Sequence, residues 1–131
     1  MKRKIFLISV FLLLIISCKT TEQVVYGYPY GNPLCMSPEE LVNAKEKVKN
    51  GEYSWCNHIA IHYESLEPSN IGMAMYWWTY GAEHGDPLCM YSLGFKLIDL
   101  FGEEEEGIYW LKKAAENGLE FAIDYLESRG L

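Results

Sequence analysis

Positive charge is scarce in this sequence of 131 residues: 11 Lys plus Arg stand against 18 Asp plus Glu. Three of those cations, Lys2, Arg3 and Lys4, sit at the extreme N-terminus, so the chain beyond them is more acidic still. So few scattered cations do not make a basic phosphate-binding surface, and no nucleic acid is expected as a partner. Long apolar runs are missing too. The longest, Ile5 to Ile16, is broken by Ser9 and falls short of the roughly 20 apolar residues that a membrane-spanning helix requires. Proline (5) and cysteine (4) are sparse, which leaves long helices possible and excludes a disulfide-dense scaffold. Half of the residues are apolar and 15% aromatic, enough to pack one small domain and too many for a disordered chain.

Lys2-Arg3-Lys4, the short apolar run and Ser17-Cys18 form the charged and hydrophobic regions of an export signal. Ile15-Ile16-Ser17-Cys18 resembles a bacterial lipobox. The resemblance implies that residues 1–17 are a lipoprotein signal peptide and that Cys18 is lipidated. Several acyl chains on that residue would hold the protein stably to a membrane. Lys19 stands where an aspartate would retain the protein at the inner membrane. That implies the bacterial cell envelope, at the outer membrane facing the periplasm.

Residues 18–36 carry Tyr26-Gly27-Tyr28-Pro29-Tyr30-Gly31 and Asn32-Pro33, turn formers without helical or strand period. They read as a flexible tether spanning about 20–25 Å. With Cys18 lipidated, Cys35, Cys56 and Cys89 allow at most one intramolecular disulfide, and spacing leaves the pairing open.

Residues 37–131 carry an internal repeat. An offset of 33 brings Tyr76-Trp77 onto Tyr109-Trp110, Ala82-Glu83 onto Ala115-Glu116, and Gly85 onto Gly118; an offset of 34 relates Gly85 to Gly51. Such a period marks stacked supersecondary units. Four residues after each glycine come Trp55, Cys89 and Ala122, and after eight come Ile59, Leu93 and Leu126. Ala60 and Gly94 follow at nine, then Tyr63 and Leu97 at twelve. That spacing predicts an apolar stripe on a helix, with a small residue where another helix approaches closely. We term these the A helices. The segments before each glycine, roughly 38–50, 70–84 and 103–117, also show helical spacing and are the B helices. Ser37-Pro38-Glu39-Glu40 opens the first with an N-cap, a proline and acidic residues suited to the dipole. The glycines are predicted to end the B helices with positive φ. Trp77, Trp110, Tyr76, Tyr109, Leu93 and Leu97 are expected in the core.

Tyr109-Trp110-Leu111-Lys112-Lys113-Ala114-Ala115-Glu116-Asn117-Gly118, with Ala122, resembles the Sel-one-like repeats, relatives of tetratricopeptide repeats. Met75-Tyr76-Trp77-Trp78, Ala82, Gly85, Cys89, Leu93 and Gly94 follow the pattern with Gly81 and Cys89 replacing alanines, and the unit ending at Gly51 is degenerate. The resemblance implies an all-α fold. It would be a short right-handed α/α solenoid of about two and a half to three helix pairs, with the A helices lining a concave protein-binding side. At three, six, seven and ten residues past the glycines, the groove-facing positions are Asn57, His58 and Ile61, then Leu88, Tyr91, Ser92 and Phe95.

Chemistry is thin. His58 and His62 share a helix face and could hold zinc or copper, but no third ligand follows, so they are read as partly exposed histidines beside the stripe. Glu103 to Glu106 suit a helix N-terminus and could also attract a basic partner. No nucleophile with a neighbouring base can be read from spacing, so no catalytic residue, metal or cofactor is assigned. The expected function is a membrane-anchored, non-enzymatic interaction module, either an adaptor or an immunity protein that neutralises a toxin, the latter by analogy with repeat lipoproteins. The rival expectation is an envelope enzyme acting on peptidoglycan or a β-lactam. Cysteine-rich relatives that bind β-lactams carry a cysteine pair within each repeat, and here Cys56 and Cys89 occur singly.

Overall fold

The computed structural model describes residues 35–66 and 68–131, and their regular structure is entirely helical. Six helices follow one another: α1 (Pro38–Lys49), α2 (Trp55–Glu64), α3 (Ile71–Glu83), α4 (Pro87–Phe101), α5 (Glu104–Glu116) and α6 (Glu120–Ser128). The expected B helices are α1, α3 and α5, and the A helices are α2, α4 and α6. The expected signal peptide, Cys18 and the expected tether up to residue 34 lie outside the described residues. Cys35 and Met36, read with the tether, are half-buried, and Met36 packs against the core.

Three of the six helix starts, those of α1, α3 and α4, are set by side chains that accept orphan N–H groups. At α1, Ser37 Oγ accepts from Glu40 N at 3.2 Å while the Glu40 carboxylate accepts from Ser37 N at 2.7 Å. The donated N–H holds the Glu40 carboxyl below its ordinary range. Asn70 Oδ1 accepts from Met73 N at α3, and Asp86 Oδ1 from Cys89 N at α4, where Pro87 fills the first position.

The three B helices end alike. Gly51, Gly85 and Gly118 have φ of 92°, 91° and 83°. After each glycine, the next N–H donates back to a carbonyl five residues earlier, from Glu52 to Lys47, Asp86 to Gly81, and Leu119 to Ala114. These are Schellman ends, and only glycine enters that backbone region without strain.

Each helix packs on the next, and α2 also touches α4. The buried stripe comprises Ala44 and Val48 of α1; Cys56, Ile59 and Ala60 of α2; and Ala74, Trp78 and Ala82 of α3. It continues through Cys89, Met90 and Leu93 of α4, Leu111 and Ala114 of α5, and Ala122 and Leu126 of α6. Small residues let the axes approach. A Cβ on Gly94 of α4 would lie 2.6 Å from the Gly107 carbonyl oxygen of α5, so the predicted shallow spot at Gly94 is a helix crossing.

Some core expectations need correction. Tyr76 and Tyr109 are more than half exposed, and Trp77, Trp110 and Leu97 are half-buried; Leu93 is buried as expected. The buried tryptophan is Trp78. It stands four residues from Ala74 and from Ala82, on one stripe of α3, while each step back along the sequence turns a side chain about 100° away. Trp55 is also only half-buried. Five residues separate α1 from α2 where three separate α3 from α4, so Cys56 rather than Trp55 is the first buried residue of its A helix.

Candidate functional site: the A-helix surface

The predicted groove residues divide into two groups. Leu88, Tyr91 and Phe95 lie on α4, with Leu88 exposed and the two aromatic rings half-buried and stacked at 6.4 Å between centroids. Tyr91 also meets Phe121 of α6 at 6.4 Å, and Phe95 meets Tyr125 of α6 edge-on at 6.0 Å. Phe121 is 64% exposed. The result is a strip of four rings laid across two A helices, its outer edge open to solvent. Counting three and seven residues from Gly118 gives Phe121 and Tyr125, so the phase that marked Leu88 and Ser92 on α4 also reaches the α6 half of the strip.

Asn57 and Ser92 serve the interior. Asn57 Oδ1 accepts from Trp78 Nε1 at 2.9 Å and from Ser92 Oγ at 3.2 Å, so one amide oxygen of α2 braces α3 and α4. Asn57 thereby satisfies the indole N–H that Trp78 carries into the core, where an unpaired donor would cost about 1–3 kcal/mol. Ile61 is half-buried against the core. His58 is half-buried, its ring 5.1 Å from that of Trp55 and its Nδ1 3.3 Å from the Ser54 carbonyl oxygen. Glu64 at the rim is ion-paired with Lys96, joining α2 to α4, and Lys96 Nζ also lies 5.8 Å from the Trp78 ring centroid.

His62 corrects the reading of two partly exposed histidines, because it is buried. Its Nδ1 accepts from Met36 N at 2.9 Å, which makes the ring neutral with its proton on Nε2. Burial first, and Lys45 second, lower its pKa below the ordinary histidine value. No group of three or more His, Cys, Asp or Glu among the described residues is arranged to hold a metal ion. Cys56 and Cys89 are free, buried thiols. Burial, with Asp86 adding, pushes the Cys56 thiol up to about 11 and raises that of Cys89 further. Thiols so protonated are poor nucleophiles at neutral pH.

The acid run opens α5. Glu104, Glu105 and Glu106 occupy its first turn, where no side chain caps the helix, so their charge meets the positive end of the helix dipole. Glu104 also lies 3.4 Å from Arg129 at an exposed site.

What the arrangement offers chemically is contact area. Tyr91, Phe95, Phe121 and Tyr125 supply large rings on two A helices, and aromatic residues of this kind are enriched in binding hot spots. No family model matches the chain, and neither does any curated protein or solved structure compared with it.

Proposed function

We propose that this protein is a non-enzymatic protein-interaction module, held to a bacterial envelope through lipidated Cys18, whose partner docks on the A-helix side. The aromatic strip of Tyr91, Phe95, Phe121 and Tyr125 carries the reading: its rings lie on consecutive A helices, and Phe121 stays largely open to water. Leu88, three residues before Tyr91 on α4, would extend the docking surface, with Ile61 and His58 of α2 as further contact positions, while Asn57 with Ser92 holds α4 to α2 and α3. A short right-handed α/α solenoid is the architecture that accounts for these observations. It is supported by the packing of each helix on the next, the contact of α2 with α4 and the three matching Schellman ends. Adaptor and toxin-neutralising immunity protein are the two roles this surface suits.

The test is recovery of the co-purifying protein by affinity purification of the lipidated chain from its own envelope. Tyr91→Ala and Phe121→Ala are each expected to reduce it at least tenfold, equivalent to about 1.4 kcal/mol, with thermal melting confirming that each variant folds. Full recovery with both folded variants removes the A-helix side as the interface. Cys18→Ser should release the chain from the membrane fraction, and an unmodified Cys18 in the mature protein by mass spectrometry ends the anchoring proposal.

A further inference from the structure

We propose that Cys56 and Cys89 form an intramolecular disulfide that ties α2 to α4 across α3. Both side chains are fully buried, on A helices that touch. They converge on one point: a Cβ built on Gly81 of α3 would sit 2.8 Å from Cys56 Cβ and 2.9 Å from Cys89 Cβ. Two atoms so near a common point are at most about 6 Å apart, and a disulfide places its Cβ atoms roughly 3.5–4.5 Å apart. The closing movement is small. The Cys89 sulfur already points into that space, the nearest of all atoms to the same point. Gly81 contributes no side chain to keep the sulfurs apart.

The third described cysteine lies elsewhere. Cys35 Sγ donates to the Ser65 carbonyl oxygen at 3.8 Å, just past the end of α2, whereas Cys56 stands at the start of that helix. At 1.5 Å per residue these ends are roughly 14 Å apart, beyond the reach of a bond between Cys35 and Cys56. Cys89, whose Cβ lies within about 6 Å of that of Cys56, is then also beyond the reach of Cys35, so geometry selects the pair that spacing left open.

The oxidant required is a low-molecular-weight disulfide such as oxidised glutathione. The Cys56 thiolate attacks one glutathione sulfur, breaks the glutathione disulfide and releases one glutathione thiolate. The Cys89 thiolate then attacks the Cys56 sulfur of the mixed disulfide and expels the second glutathione. Two electrons pass from protein to glutathione, and the two thiol protons end on the two glutathione thiolates. With both sulfurs buried, the bond forms as the chain folds and is shielded once α3 has closed over it.

The test is to reduce and denature the full chain, refold it in mixed oxidised and reduced glutathione, quench with acid, alkylate and map the peptides. The expected result is a Cys56 peptide joined to a Cys89 peptide, two hydrogens lighter than the separate pair, with Cys35 outside the bond. The oxidised protein should melt more than about 10 °C above the reduced one, because the bond closes a loop that contains all of α3. Cys35→Ser should leave both results unchanged. Recovery of Cys56 and Cys89 as alkylated thiols from protein with its full helical circular dichroism overturns the proposal, as does a bond from either to Cys35. If refolding fails, the same map is made on chain exported to an oxidising compartment. There too, alkylated Cys56 and Cys89 reject the bond.

Discussion

The α1–α2 turn and the α3–α4 turn finish one helix in the same way and begin the next differently. Both have a glycine with φ near 90° and the same backbone bond to a carbonyl five residues back. After Gly85, however, Asp86 caps α4 at once and Pro87 occupies its first position. After Gly51, Glu52, Tyr53 and Ser54 intervene, and Ser54 provides no side-chain cap. The repeat therefore preserves how a helix stops more closely than how one starts. A Schellman end depends on backbone geometry that one glycine secures. A start has several solutions, among them a capping side chain, a proline, or tertiary packing that holds the first turn. The looser start of α2 moves Trp55 to the edge, where Lys47 Nζ covers its ring at 3.8 Å.

The comparison can be broken first where the two units join. Trp78→Ala removes the largest fully buried side chain and should cost about 3–5 kcal/mol of unfolding free energy by denaturant titration. Trp77→Ala, one residue away and half-buried, should cost distinctly less. Equal losses would mean that both indoles belong to the core.

Gly85→Val and Gly118→Val should each cost on the order of 1–2 kcal/mol. The expense is backbone strain alone, since a Cβ at either site meets nothing within 4 Å. Gly51→Val should match them, because the three ends share one geometry; a much smaller loss there would show that the first unit tolerates another ending.

Starts should then separate where ends agree. Asp86→Ala should cost about 1 kcal/mol through the lost cap, whereas Ser54→Ala should leave the melting midpoint nearly unchanged. Similar losses at both sites would remove the contrast between the two turns.

The smallest effect concerns pH. Unfolded His62 takes up a proton near pH 6.5, and the folded ring does so only at lower pH. The unfolded state thus binds more protons in between. Stability present above pH 6.5 is lost as pH falls through the lowered folded value. Denaturant titrations from pH 7.5 downward should show this loss, and His62→Gln should flatten it; an unchanged slope in the variant would assign the loss to other groups.

Much of the helical order was legible in the sequence because glycine phase and apolar spacing are local signals. The B helices lie close to their predicted spans, and the three glycines have positive φ. What sequence reading missed was rotational. Tyr76-Trp77 and Tyr109-Trp110 align so well between units that they invite assignment to the core, yet neighbouring positions on a helix face different ways, and the core stripe takes Trp78 and Leu111. The brace at Asn57 was equally hidden, because its partners Trp78 and Ser92 lie 21 and 35 residues away. Along the A helices, phase picks out Tyr91 and Phe95 and, counted from Gly118, reaches Phe121 and Tyr125 as well; what packing adds is that the four rings meet.

The bond between Met36 N and His62 also sets where a mechanical load enters the domain. Tension applied along the chain ahead of Cys35 reaches that hydrogen bond before it reaches Ser37 and the first turn of α1. Part of the force is therefore delivered sideways into the middle of the bundle, onto a helix flanked by α1 and α3, rather than axially into an end helix that could be peeled away. Load entering ahead of Cys35 would thus be shared with α2, which touches α1, α3 and α4.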